Sequence, residues 1–221
     1  MKSERLKVGV LSSGRGTDMQ SIIDASEQGK INAEVVLVCS DRQTAQCLER
    51  AKKHKIHALF VDPNNPKYEK EIDTLMISHK VGLIVGAGWM RIISPWFVWR
   101  WEGKLVNIHP ALLPSFKGVH AQRDALEKAV KISGCTTHFM AKEVDEGPII
   151  LQAAVLVREG DTEETLAKRI LDVEHQILPR TVDLFQKKKL RQKGRKVEIL
   201  PDRSWKELYP AYPDVLYSEG Y

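Results

Sequence analysis

Long hydrophobic runs, metal-binding motifs and a cysteine framework are all missing from this sequence. No apolar stretch approaches the ~18 residues that a membrane-spanning helix needs, so no membrane partner is expected. Three cysteines (Cys39, Cys47 and Cys135) are an odd number without C-x-x-C spacing, which predicts a reducing compartment and a cytoplasmic protein. The seven histidines show no H-E-x-x-H spacing, and no G-x-S-x-G motif occurs. We therefore expect neither a metal site nor a serine hydrolase.

Basic charge is concentrated in one stretch near the C-terminus. The chain of 221 residues has a net charge of +5, but residues 186–196 hold seven of its 34 basic residues and no acid. The remainder carries 27 basic against 29 acidic residues, so the protein lacks the general positive field of a nucleic-acid-binding protein. We interpret the run as a solvated helix end, whose cations favour the negative end of the helix dipole. An RNA- or partner-binding patch is the alternative.

The first half of the chain alternates apolar runs with helical patterns. Such near-continuous apolar strands, separated by helices, indicate a parallel sheet covered on both faces, and right-handed crossovers make it a doubly wound, Rossmann-like α/β fold. The predicted strands are 6–13, 33–40, 57–62, 82–88 and 104–110, and the predicted helices are 18–30, 44–55 and 68–80.

The pattern changes after residue 131. Strands predicted at 133–141 and 148–157 are joined by a segment too short for a crossover helix, so they should pair antiparallel. A helix over 162–189 opens with a cap at Asp161/Thr162, and Pro179 predicts a kink or a break within it. We expect one domain over 1–221, with about 190–221 as an extension. The tail 204–221 could pack on the domain, bridge to a partner chain or be disordered.

The glycine-containing turn after the first strand, S-S-G-R-G-T-D-M-Q, favours an anion site. Free N–H groups at a helix N-terminus attract phosphate, and glycines permit the tight turn. A plain turn with a helix cap is the alternative. A dinucleotide-binding oxidoreductase is disfavoured because Met19 replaces the third glycine of G-x-G-x-x-G, and no G-K-[ST] sequence follows.

The segment N-I-H-P ends the fifth predicted strand with two polar side chains. A residue before proline is pushed toward extended geometry, so Pro110 keeps His109 in the strand. Alternation then puts Asn107 and His109 on one face and Val106 with Ile108 on the other. Because open α/β sheets bind ligands at the carboxyl ends of their strands, this pair is a candidate active site; two hydrogen-bonded core residues are the alternative.

The loop K-E-V-D-E-G-P-I at 142–149 contains three acids between two predicted strands. Aspartate and glycine are ordinary turn residues, but Asp145 could also hold an imidazolium or carry a proton to it. Sequence spacing alone does not pair Asp145 with His109.

Taken together, these segments resemble the folate-dependent glycinamide ribonucleotide formyltransferases of purine synthesis. The similarity runs from about Lys7 to about Lys188 and includes S-G-R-G-T-D-M-Q, G-A-G-W-M-R-I-I-S-P, N-I-H-P-A-L-L-P-S-F-K-G, G-C-T-T-H-F-M and V-D-E-G-P-I-I-L-Q. N-I-H-P with a downstream D-x-G-P is specific to folate-dependent formyl transfer. The continuation K-G-V-H-A-Q-R-D-A-L points to the ribonucleotide enzyme and not to the initiator-tRNA formyltransferase.

The resemblance implies attack of the glycinamide amine on the formyl carbon of the cosubstrate 10-formyltetrahydrofolate, with no metal. It also implies small-molecule substrates, no nucleic acid, and a monomer or homodimer. By position it makes Asn107, His109 and Asp145 the catalytic set. The implied nucleotide contacts are Gly14, Arg15, Gly16, Thr17, Asp18, Lys117, Gly118, His120 and Glu174. The implied folate contacts are Met90, Arg91, Ile92, Ile93, Val98, Ala141 and Val144.

Two departures from the family pattern fall near the implied ligands. Asp18 stands where the family usually has Asn, and a carboxylate near a phosphate weakens binding unless Arg15 pairs with it or it turns away. Trp89 replaces the common Phe. A second enzymatic hypothesis is hydrolysis of 10-formyltetrahydrofolate, or another folate-dependent formyl transfer, since the folate site is shared.

Overall fold

The computed structural model describes residues 4–202, 204–205 and 211–221. The described residues divide into two compact units on either side of the Asn107–Ile108 peptide bond. The expectation of a single domain over the whole chain stays a prediction. Within the described residues, no helix is both long and apolar enough to cross a membrane.

The first unit is a parallel sheet with alternating helices. All neighbouring strands run parallel in the order β3-β2-β1-β4-β5, the order of a doubly wound sheet. Val10 of the central strand pairs with Val38 on one side and Val85 on the other, and all three are fully buried. The elements are β1 (Leu6–Leu11), α1 (Thr17–Glu27), β2 (Ala33–Ser40), α2 (Gln46–Lys53), β3 (His57–Phe60), α3 (Tyr68–Ser78), β4 (Leu83–Gly86), α4 (Pro95–Arg100) and β5 (Leu105–His109).

Strand β5 crosses the boundary between the units. Its residues Leu105, Val106 and Asn107 pair with β4, whereas Ile108 and His109 belong to the second unit. The carboxyl end of β1 faces the point where the strand order reverses, and in doubly wound sheets ligands bind there.

The second unit is built on an antiparallel pair of strands packed against one long helix. The predicted antiparallel pairing is confirmed, with Cys135 opposite Ala153 and Thr136 opposite Gln152. β7 also pairs with β9 and with β10. The elements are α5 (Ala121–Glu127), β6 (Ile132–Phe139), β7 (Ile149–Leu156), α6 (Glu163–Gln186), β8 (Leu190–Lys193), β9 (Lys196–Ile199) and β10 (Leu216–Tyr217).

The predicted break at Pro179 is wrong, because α6 runs continuously through it for 24 residues. Pro179 and its neighbours Leu178 and Arg180 are buried, so tertiary packing offsets the one backbone hydrogen bond that proline cannot make. The predicted cap at Thr162 is confirmed: its hydroxyl accepts from the N–H of Thr165, whose hydroxyl accepts from the N–H of Thr162.

Only the start of the basic run lies at a helix end, which corrects our interpretation of the rest: Gln186 ends α6 and Lys187 is its C-cap. The helix stops at Gln186, and the residues that follow form the antiparallel hairpin β8–β9. Residues 211–221 of the tail pack on this unit through the pairing of β10 with β7 and through the hydroxyls of Tyr217 and Tyr221, which both donate to Oε1 of Gln176. Residues 206–210 of the tail lie outside the described residues.

Candidate active site

A buried histidine and a buried aspartate meet in the second unit. His109, at the end of β5, is 4% exposed, and its Nδ1 atom lies 3.4 Å from Oδ2 of Asp145 in the β6–β7 loop. Nε2 of the same ring donates to the carbonyl oxygen of Phe116 at 2.7 Å. Each imidazole nitrogen therefore faces an oxygen that can accept a hydrogen bond from it.

Asp145 is oriented by two further groups. The backbone N–H of Gly118 donates to Oδ2 at 2.9 Å, and Nε2 of His138 lies 3.7 Å from Oδ1. Burial lowers the pKa of His138, although the Phe139 carbonyl and the charge of Asp145 act in the opposite direction. Asp145 adopts a φ of 56°, in the left-handed region that aspartate enters more readily than most residues with a side chain.

The loop that carries Asp145 contains a glycine that allows a tight turn and a glutamate that forms ion pairs. A Cβ atom on Gly147 would lie 1.7 Å from the carbonyl oxygen of Phe139, so only glycine permits this turn. Glu146 accepts from the ammonium of Lys117, and Arg195 of the β8–β9 hairpin contributes Nη2 at 3.3 Å. The hydrogen bond from Lys117, and then that from Arg195, lowers the pKa of Glu146.

The segment after His109 is fixed by side chains of the sheet. The hydroxyl of Thr136 donates to the carbonyl of Ala111 at 2.6 Å and accepts from the N–H of Leu113 at 3.1 Å. The Gln152 amide donates to the Leu113 carbonyl at 2.9 Å. Because Ala111 and Leu113 lie two and four residues after His109, these bonds restrain the segment that continues from the imidazole.

In the first unit, the glycine turn joins β1 to α1. Gly16 is the N-cap of α1, with φ 71°, and no side chain caps the helix. Gly14 and Arg15 are exposed, whereas Thr17 and Asp18 are half-buried. Burial raises the pKa of Asp18 to about 6, against the opposing charge of Arg15. The turn has the left-handed cap and the uncapped helix end of an anion-binding turn.

The segment 88–98, predicted to contact folate, is also held within the first unit. The backbone N–H of Met90 donates to Oγ of Ser13 at 3.0 Å, and Nε of Arg91 donates to Oδ2 of Asp41 at 2.9 Å. Further along, Glu69 accepts from the N–H of Ser94 at 2.7 Å.

The predicted site residues thus fall into two groups, one in each unit. In the first unit, Met90, Arg91 and Ile92 are exposed, Ile93 is buried and Val98 is half-buried. In the second unit, Gly118 joins the pair of His109 and Asp145, and Lys117 binds the neighbouring Glu146. The remaining predicted residues of that unit lie in three other places: Ala141 and Val144 in the β6–β7 loop, His120 at the N-cap position of α5, and Glu174 buried on α6.

Some residues of the site were missed from the sequence. His138 counted only as one of seven histidines. It lies next to the end of β6, just before the loop that carries Asp145, and this position was the available signal. Phe116 was missed because it acts through its backbone carbonyl, for which residue type gives no signal. Asp41 was missed because its partner Arg91 lies far away in the chain.

These features define a class: an α/β enzyme with a glycine turn after its first strand and a histidine–aspartate pair suited to moving protons. A family model described as formyl transferase matches residues 6–182. The chain belongs to the formyl transferase family, and the family resemblance and the α/β fold class are both confirmed.

Similar proteins cover nearly the whole chain. The phosphoribosylglycinamide formyltransferase of Escherichia coli is 39% identical over 184 residues, which cover 81% of this chain and 87% of the relative. The crystal structure of glycinamide ribonucleotide transformylase 1 from Symbiobacterium toebii is 43% identical with a TM-score of 0.87, over 90% of this chain and 96% of that one.

Longer relatives contain a similar region as one part. The trifunctional purine biosynthetic protein adenosine-3 of Gallus gallus is 41% identical over 188 residues, which cover 83% of this chain. The chain spans only 19% of the length of that relative.

Proposed function

We propose that the protein transfers the formyl group of 10-formyltetrahydrofolate to the amino group of glycinamide ribonucleotide. The products are formylglycinamide ribonucleotide and tetrahydrofolate, and the step belongs to de novo purine synthesis. The observation that carries the proposal is the buried His109–Asp145 pair at the end of a strand that also carries Asn107. The names of the similar proteins support the choice of substrates.

The chemistry that these residues supply is acid–base and electrostatic. The amine attacks the formyl carbon, and a tetrahedral intermediate with a negatively charged oxygen forms. The amide of Asn107 donates a hydrogen bond to this oxygen, and so does Nε2–H of His109, which turns from the Phe116 carbonyl. The amine then loses a proton, N10 of the folate gains one, and the bond from the formyl carbon to N10 breaks.

Asp145 supports His109 in this reaction. Because Asp145 faces Nδ1 of His109, the nitrogen that bonds to the substrate is Nε2. The charge of Asp145 stabilises the protonated ring. Gly118 donates to the same carboxylate oxygen and so fixes its direction. Nε2 of His109 first gives its proton to N10 of the folate and then takes up the proton that the amine loses, with Asp145 as the stabilising charge.

The remaining assignments are also part of the proposal. Residues Gly14 to Asp18 bind the phosphate of the nucleotide, and Lys117, Gly118, His120 and Glu174 contact the nucleotide. The segment Met90–Ile93 with Val98, Ala141 and Val144 contacts the folate. We further propose a cytoplasmic monomer or homodimer that uses no metal and binds no nucleic acid.

The decisive assay measures formylation of glycinamide ribonucleotide with 10-formyltetrahydrofolate as donor. Wild type should form one tetrahydrofolate for each formylated product, and His109→Ala should lower kcat by at least 100-fold, as loss of acid–base catalysis does. An inactive wild type, or normal turnover by His109→Ala, contradicts the proposal. Formate release at the same rate without acceptor identifies the hydrolase instead.

A further inference from the structure

Two residues of α2, Cys47 in its first turn and Arg50 in its last, bind three backbone carbonyls of the glycine turn. The carbonyl of Ser12 accepts from Sγ of Cys47 at 3.4 Å, and that of Gly14 accepts from the backbone N–H of Cys47 at 3.0 Å. The carbonyl of Arg15 accepts from Nε of Arg50 at 2.8 Å. Three carbonyl acceptors of the turn are therefore bound by one neighbouring helix.

Close packing accompanies these hydrogen bonds. A Cβ atom on Gly16 would lie 2.6 Å from Cβ of Cys47 and 2.9 Å from its Cα, so the turn lies directly against α2 at this point. Gly16 also has φ 71°, which favours glycine for a second reason. Displacement of the turn from α2 would break the bonds to Gly14 and Arg15 together.

This arrangement sets the direction of the N–H groups of the turn. A peptide unit whose carbonyl is fixed toward α2 has its N–H fixed on the opposite side, because the two bonds of a planar peptide are antiparallel. The carbonyls of Gly14 and Arg15 therefore fix the N–H groups of Arg15 and Gly16. Such successive N–H groups next to an uncapped helix end form an anion-binding concavity.

We propose that Arg50 is a positioning residue for the phosphate-binding turn. It fixes the peptide unit between Arg15 and Gly16, so that the N–H groups are preorganised for a phosphate monoester. The inference rests on the proposed function, which assigns the turn to the phosphate of the nucleotide. Arg50 acts through the carbonyl of Arg15 and is half-buried.

Lys53 provides a matched control on the same helix. It carries the same charge, lies within the last turn of α2 and lines the same cavity of about 260 Å³ as Arg50. Within the part of the chain that the structure describes, it makes no hydrogen bond to the turn. Arg50→Met and Lys53→Met thus remove the same charge, but only the first removes a bond to the turn.

The kinetic test separates positioning from charge. For Arg50→Met, the KM for glycinamide ribonucleotide should rise about tenfold, as expected for loss of one charged hydrogen bond, while kcat stays within about twofold of wild type. The KM for the dephosphorylated riboside should not change. Lys53→Met should resemble wild type. An equal rise in KM in both variants, or a fall in kcat alone, would overturn the inference.

A binding measurement makes the inference independent of turnover. Inorganic phosphate, titrated calorimetrically into the full-length protein, should bind more weakly to Arg50→Met than to Lys53→Met. If wild type binds phosphate with this pattern but does not formylate, the proposed function fails and the role of Arg50 stands. If wild type formylates and both variants bind phosphate equally, the role of Arg50 fails alone.

Gly16→Ala tests the same contact without removing a charge. The added Cβ would collide with Cys47 and move the turn away from α2, so phosphate binding should weaken here too. Unchanged phosphate affinity in a folded Gly16→Ala protein contradicts the inference, even if Arg50→Met proves unstable.

Discussion

Nδ1 of His109 lies 3.4 Å from Oδ2 of Asp145, and both side chains are more than nine-tenths buried. The other oxygen of this carboxylate lies 3.7 Å from His138. A carboxylate between two imidazoles, out of bulk water, interacts more strongly with each ring than an exposed one does. This relationship gives the site its capacity to stabilise a charged imidazole.

Asp145→Asn should lower kcat about 100-fold or more, with a much smaller effect on either KM. The amide cannot stabilise a protonated His109, although it retains the shape of the side chain. Steady-state kinetics across pH 6–9 measures the effect. Glu143→Gln, in the same loop but exposed, is the control and should retain wild-type kcat. Equal activity of the two variants would refute the role of Asp145.

His138→Asn should reduce the loss of stability in acid. Burial lowers the pKa of His138 below its ordinary value of 6.5, so the unfolded chain binds more protons than the native one as pH falls through that value. Stability is therefore lost below about pH 6.5. Urea denaturation measures the free energy of unfolding at pH 5.5 and at pH 7.5. The difference between these two free energies should be smaller in the variant than in wild type by about 1 kcal/mol.

His120→Asn, at the exposed N-cap of α5, controls for loss of an imidazole. An unchanged pH dependence in His138→Asn would show that this ring does not contribute to acid destabilisation.

Asp18→Asn should stabilise the protein at pH 7.5. Burial raises the pKa of Asp18 from 3.8 to about 6, so the native state binds more protons than the unfolded chain between these values. Stability is thus lost as pH rises from about 4 to 6, and the ionised carboxylate remains unfavourable above this window. The free energy of unfolding of the variant should exceed that of wild type by about 1–3 kcal/mol at pH 7.5, and the two should be equal below pH 4.

The same substitution should lower the KM for glycinamide ribonucleotide at pH 7.5, because it removes a negative charge from the proposed phosphate site. Asp24→Asn, exposed on the same helix, should change neither quantity. A higher KM in Asp18→Asn would indicate that the carboxylate contributes to substrate binding.

Arg180→Met should release the C-terminal extension. The buried guanidinium of Arg180 donates to Asp183 and Asp202 at 2.9 Å each and to the carbonyl of Gly220 at 3.0 Å, and it lies 5.0 Å from the Trp205 ring. Its removal leaves buried Asp183 with Lys187, at 2.9 Å, as its remaining cation, so the cost should be below the ~3–5 kcal/mol of a buried charge without any partner. Limited proteolysis should cut the tail faster, and urea unfolding should shift to lower concentration.

Arg191→Met, on the exposed strand β8, should behave like wild type in both experiments. Equal proteolysis of wild type and Arg180→Met would show that other contacts hold the tail.

The helix through Pro179 and the hairpin in the basic run show where local patterns fail. Proline opposes a helix locally, but the buried surface around Pro179 extends over several turns and outweighs one lost hydrogen bond. In the basic run, charge favoured a solvated helix end, whereas most of the run forms the β8–β9 hairpin. The pairing of β9 with β7 depends on residues that are distant in the chain.

By itself, the sequence determined the α/β alternation, the antiparallel strands of the second half and the position of Asn107 and His109 two residues apart on one strand. Hydrophobic periodicity and the restriction before proline are local effects, so residue order is sufficient for them. Only the tertiary structure decided that Asp145 and the Phe116 carbonyl contact His109 and that His138 lies beside Asp145. Those contacts depend on how loops from different strands meet, and no spacing along the chain specifies that meeting.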